Sequence, residues 1–111
     1  MRYMLLIYTP PEGDQSEMEE WFDYTNALHE AGVYVAGDPL AEVASAVTVR
    51  VRDGETLVSD GPFAETREVL GGYYIVDVDG EEQAKHWAAR LPSSRYGSTE
   101  VRVIPEIPMP E

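Results

Sequence analysis

Three side chains of this 111-residue chain could carry acid–base or ionic chemistry from defined positions: His29, Asp60 and Arg67. His29 follows Leu28 at the edge of an apolar helical stripe. Its imidazole titrates near neutrality, so it is the general-base candidate; a partly buried packing histidine is the other reading. Asp60 stands where a strand runs into Asp60-Gly61-Pro62-Phe63. A carboxylate held at a strand end could serve as acid, base or acceptor for a ligand. The same four residues also make sense as a turn. Asp bonds nearby backbone, Gly permits unusual φ, Pro presets the bend, and Phe63 anchors it by burial. Arg67 lies in the charged segment Glu65 to Glu68. It could clamp Asp60 or an anionic ligand in a bidentate pair, or simply be solvated. His86, four residues after Glu82 on the polar side of a helix, reads as solvated.

Aromatic residues supply the second set of candidates. Tyr8, Trp21, Tyr34, Tyr73 and Tyr74 could line a pocket for a small, flat or lipophilic ligand between sheet and helices. Phe63 and Asp38, the latter ending a strand at Asp38-Pro39, belong to the same candidate set. The competing reading of these rings is core and dimer packing.

Composition removes several classes of chemistry. There is no cysteine, hence no disulfide, thiolate nucleophile, Cys-ligated zinc or iron–sulfur cluster. Two histidines are too few for a His-cluster metal site, and no cofactor is implied. Eight Lys and Arg against 21 Asp and Glu give a net charge of −13, which repels phosphate backbones and anionic lipid. Nucleic-acid and membrane binding are therefore not expected. Met4 to Ile7 is too short for a signal-peptide core, and no apolar run reaches the ~20 residues of a membrane helix. A cytoplasmic protein is expected.

The positioning elements follow from periodicity. Arg2 to Tyr8 is a strand apolar on both faces, with Tyr3, Leu5 and Ile7 on one side and Met4, Leu6 and Tyr8 on the other. Pro10 to Asp14 is a loop. Ser16 and Glu19 match a capping box that opens a helix with a stripe of Met18, Trp21, Phe22, Thr25 and Leu28. A short strand follows over 33–36. Val47, Val49 and Val51 then alternate with polar residues, and Asp53-Gly54 is the signal for a two-residue hairpin turn. Residues 72–78 form a second strand apolar on both faces. Asp79 and Glu82 resemble another capping box, before a helix with Ala84, Trp87, Ala88 and Leu91 inward. A last strand runs over 99–104, ahead of a proline-containing tail at 105–111.

Without the hairpin pair the order is β-α-β-β-α-β, a ferredoxin-like split βαβ in one α+β domain over 1–104. Two helices cover one face of such a sheet. The strands apolar on both sides then call for a second copy, sheet against sheet, in a homodimer.

Ser59-Asp60-Gly61-Pro62-Phe63-Ala64-Glu65-Thr66, followed by Leu70-Gly71-Gly72-Tyr73-Tyr74, resembles the signature of the YCII-related proteins, in the branch named for its Asp-Gly-Pro-Phe motif. Arg2 to Tyr8, Thr48 to Arg50 and Gly97 to Arg102 are similar as well. The resemblance implies a dimeric α+β barrel of ferredoxin-like protomers. It also implies a link to regulation or stress, since genes of this branch often neighbour those of alternative sigma factors. YciI-like members are associated with a His–Asp dyad. The matching positions here are Trp21 and Leu91, which cannot shuttle protons. The expected role is a small-molecule-binding accessory protein. The alternative is a cofactor-independent lyase or isomerase with Asp60 or His29 as acid/base and Arg67 holding an anion.

Overall fold

Leu5, Leu28 and Val76 lose all contact with solvent, and the fold is built around them. They come from a strand, a helix and a second strand, so the core is the seam between one sheet and one layer of helices. The computed structural model describes residues 1–64 and 66–110. Its elements are β1 (Arg2–Thr9), α1 (Met18–Glu30), β2 (Tyr34–Pro39), β3 (Val47–Arg52), β4 (Glu55–Asp60), β5 (Val69–Asp77), α2 (Glu81–Arg90) and β6 (Ser98–Ile104). The main sheet has the order β2-β5-β1-β6 with antiparallel neighbours throughout. That order is ferredoxin-like, and β3 and β4 stand apart as a two-stranded sheet.

Strand alternation decides what each face of the sheet carries. Tyr3, Leu5, Ile7 and Thr9 of β1 and Gly72, Tyr74 and Val76 of β5 are buried on the helix side. Met4, Leu6 and Tyr8, with Tyr73 and Ile75, point the other way and are half-buried. The described residues extend 48 × 45 × 19 Å, and the short axis is that of one sheet under one helix layer. The radius of gyration of 16.2 Å exceeds the roughly 13 Å of a closed domain of this length, because the hairpin projects and one sheet face is uncovered.

The first helix differs in two details from its sequence reading. Its N-cap is Glu17, whose amide donates to Glu20 Oε2 at 2.8 Å, so the box is shifted one residue from Ser16 and Glu19. The Ser16 hydroxyl is instead hydrogen-bonded to the Tyr96 hydroxyl at 3.0 Å. The inward stripe is Tyr24 and Leu28, buried, flanked by half-buried Trp21 and Thr25, whereas Met18 and Phe22 are 67% and 63% exposed. Successive helical residues turn by about 100°, which carries Phe22 away from the line joining Trp21 to Leu28.

At α2, Ala84, Trp87, Ala88 and Leu91 are buried as expected. Its cap is Gly80, and Asp79 is paired with Gln83 rather than Glu82. The hairpin turn has positive φ at Asp53 (52°) and Gly54 (79°), the requirement for a type I′ bend. No helix among the described residues is long and apolar enough to cross a membrane.

Candidate functional site

The aromatic candidates divide between the two faces of the sheet, because Tyr73 and Tyr74 are adjacent in a strand and must point in opposite directions. On the helix side Tyr74 is the hub and is 9% exposed. Trp21 stacks on it at 6.5 Å between ring centroids, and Tyr24 and Tyr34 meet it edge-on at 5.3 and 6.4 Å. The Tyr74 hydroxyl is hydrogen-bonded to Thr25 Oγ1 at 2.6 Å, and the Tyr24 hydroxyl donates to the Trp87 carbonyl at 2.7 Å. Burial pushes the Tyr24 phenol well above its ordinary range. Burial also raises Tyr74, against the opposing hydrogen bond with Thr25. Both rings are therefore neutral core groups near pH 7. His29 is exposed at the end of α1 and stacks on Tyr34 at 4.1 Å. Trp21 Nε1 donates to Asp14 Oδ2 at 2.5 Å, tying the 10–17 loop to the helix.

The uncovered side holds a different set. Here β1 ends, β2 ends and β5 begins, and the segment after Asp60 folds over them. They enclose a concavity of about 470 Å³ whose walls include Tyr8, Leu40, Phe63, Glu68 and Leu70. The Tyr73 hydroxyl donates to Asp38 Oδ2 at 2.9 Å, and the Tyr8 hydroxyl donates to Glu100 Oε1 at 3.2 Å. The Asp38 hydrogen bond raises the Tyr73 pKa. Partial burial, then Glu100, raises that of Tyr8. Ser98 Oγ donates to Glu68 Oε1 at 2.8 Å and fixes that carboxylate at the wall.

Asp60 ends β4 and is exposed. The turn that follows is closed by backbone groups: the Gly61 amide donates to the Ala46 carbonyl at 2.6 Å, and Thr48 Oγ1 donates to the Gly61 carbonyl at 2.9 Å. Gly61 takes a φ of 95°, which L side chains rarely adopt. Phe63 does not anchor the turn by burial, as its sequence context suggests; it is 76% exposed. Its contact is with the hairpin, where the Arg50 guanidinium stands 5.2 Å from the ring centroid. Arg67 is exposed beyond the turn. Glu65 lies outside the described residues.

The fold thus gathers Tyr8, Asp38, Phe63 and Tyr73 around the open side and keeps Trp21, Tyr34, Tyr74 and His29 on the helix side. Leu40 and Glu42 join the first group without having stood out in the sequence, and so do Leu70 and Glu68, which the sequence marks only as part of the signature run and of a charged segment. The structure starts β5 at Val69, before the 72–78 read from the sequence, and so brings Leu70 into it. Among the described residues no group of three His, Asp or Glu side chains is placed to hold a metal ion.

Two comparisons bear on this arrangement. The model of the YCII-related domain matches residues 1–107. A protein of Rhizobium meliloti (strain 1021), described as uncharacterized, is 37% identical over 95 residues, 84% of this chain and 77% of that protein.

Proposed function

This chain belongs to the YCII-related domain family, and from that premise we propose that it is a small-molecule-binding accessory protein of the Asp-Gly-Pro-Phe branch, working as a homodimer. One observation carries this reading: a mostly apolar concavity of about 470 Å³ bounded by Phe63, Leu70 and Tyr8, within the size range of small-ligand sites. The half-buried apolar row Met4, Leu6, Tyr73 and Ile75 beside it supports a second copy covering the open sheet face. In this reading Asp60 and Arg67 flank the site, and the regulatory or stress-linked role follows from what the occupied dimer presents. A lyase or isomerase with His29 as base gains no support, since His29 stacks on Tyr34 on the helix side.

The reading is tested with a neutral probe, 4-phenylbutanol, followed by amide chemical shifts on titration. Shifts should concentrate at Leu40, Val69 and Leu70, disappear in Phe63→Ala combined with Leu70→Ser, and persist in Asp60→Asn. Saturating shifts confined to the helix side would overturn it, as would the absence of shifts with this probe and with its amine and carboxylate analogues alike.

A further inference from the structure

Resting on that ligand-binding reading, we infer that the ligand is an amphipathic cation: an apolar body carrying an ammonium or amidinium group. The walls carry Leu40, Val43, Phe63 and Leu70, and their only charged side chains among the described residues are the carboxylates of Glu42 and Glu68. Glu68 is half-buried, and Ser98 holds one of its oxygens, leaving the other free to accept. Just beyond the wall, Asp38 and Glu100 already accept from Tyr73 and Tyr8. Among the described residues no lysine or arginine lines the cavity: Arg50 sits against Phe63 from the hairpin, Arg67 lies exposed outside, and Arg102 acts on Tyr8 from beyond the wall.

Each class of ligand meets this wall differently. An anionic ligand would bring like charge against a fixed carboxylate in a chain of net charge −13. A neutral apolar ligand would strip water from the half-buried Glu68 and return nothing for it. A cation on an apolar body fills the wall and gives Glu68 a charge-assisted donor. Arg50 already occupies one face of the Phe63 ring, so the charge of the ligand is met by the Glu68 carboxylate and not by that ring.

The test is a matched series, 4-phenylbutylamine, 4-phenylbutanol and 4-phenylbutyrate, titrated into the full-length protein with amide shifts at Leu40, Val69 and Leu70 as readout. The amine should bind about tenfold tighter than the alcohol, and the butyrate weakest, the scale of one charge-assisted hydrogen bond at a partly exposed site. Glu42→Gln with Glu68→Gln should erase that preference, so that within this variant the amine binds no tighter than the alcohol. Glu30→Gln with Glu106→Gln removes the same charge on segments that do not line the cavity and should preserve it. Alcohol binding with no gain for the amine overturns the inference and leaves the ligand-binding reading standing. A preference lost equally in both double variants also overturns it, since the attraction is then that of the whole surface. Failure of all three probes to bind removes the reading beneath it.

Discussion

The Tyr73 hydroxyl donates to Asp38 across the β5–β2 pair at 2.9 Å, on the open face of the sheet. One residue on, Tyr74 is bonded to Thr25 at 2.6 Å beneath α1. The same substitution at the two positions should therefore have unequal effects. Tyr74→Phe leaves a half-buried Thr25 hydroxyl without its partner and should cost about 1 kcal/mol by urea denaturation. Tyr73→Phe removes a bond that the exposed Asp38 carboxylate can remake with water, and should stay within about 0.5 kcal/mol. Equal losses would mean that the open face is as dry as the core.

Asp14 connects pH to the 10–17 loop. Its partial burial acts to raise the carboxyl pKa, but hydrogen bonds from Tyr96, the Ser16 amide and Trp21 outweigh it, and the net shift is downward. A depressed folded-state pKa contributes stability above the unfolded value and loses it as pH falls through the folded value. The loss should begin below the ordinary 3.8. Asp14→Asn should flatten the acid limb of stability against pH, measured by denaturant midpoints from pH 6 to 2.

The alkaline limb has the opposite origin. Burial raises the Tyr24 phenol above its ordinary 10.0, so the unfolded chain releases this proton first. The stabilisation is complete below pH 10.0 and falls as pH rises toward the folded value. Tyr24→Phe should lower stability at pH 7 by about 1 kcal/mol, through the lost bond to the Trp87 carbonyl, and make the alkaline limb shallower.

Gly97 is held by close approach of backbone. A Cβ there would lie 2.3 Å from the Tyr8 carbonyl oxygen and 3.2 Å from that of Ser93. Tyr8 is paired with Ser98 in the β1–β6 ladder and cannot retreat without breaking it. Gly97→Ala should cost about 2–3 kcal/mol or prevent folding. Gly71→Ala, where the nearest atom is the Thr9 hydroxyl at 3.5 Å, should be close to neutral in the same measurement.

The proposed pairing of open faces predicts twice the chain mass in sedimentation. Leu6→Asp places a charge on that face, opposite Tyr73 and Glu100 and away from the helices. The variant should sediment as a monomer with its secondary structure intact by circular dichroism. A monomeric wild-type protein, or a dimer indifferent to Leu6→Asp, removes the pairing from the proposal.

The sequence by itself determined the order of elements, the hairpin turn at Asp53-Gly54 and the inward stripe of α2, because each is written in local spacing or backbone preference. It also carried the family, through the run from Ser59 to Tyr74. Only the tertiary structure decided which face each candidate serves. A strand apolar on both sides has no polar residue to mark its outer face, so Tyr73 and Tyr74 read alike until the helices settle over one of them. The slip of the α1 cap has a similar cause: Ser16 is taken by Tyr96, 80 residues away. Phe63 read as the buried anchor of its turn, and the fold leaves it exposed beside Arg50 because the turn is closed by Gly61 and Ala46 backbone groups instead.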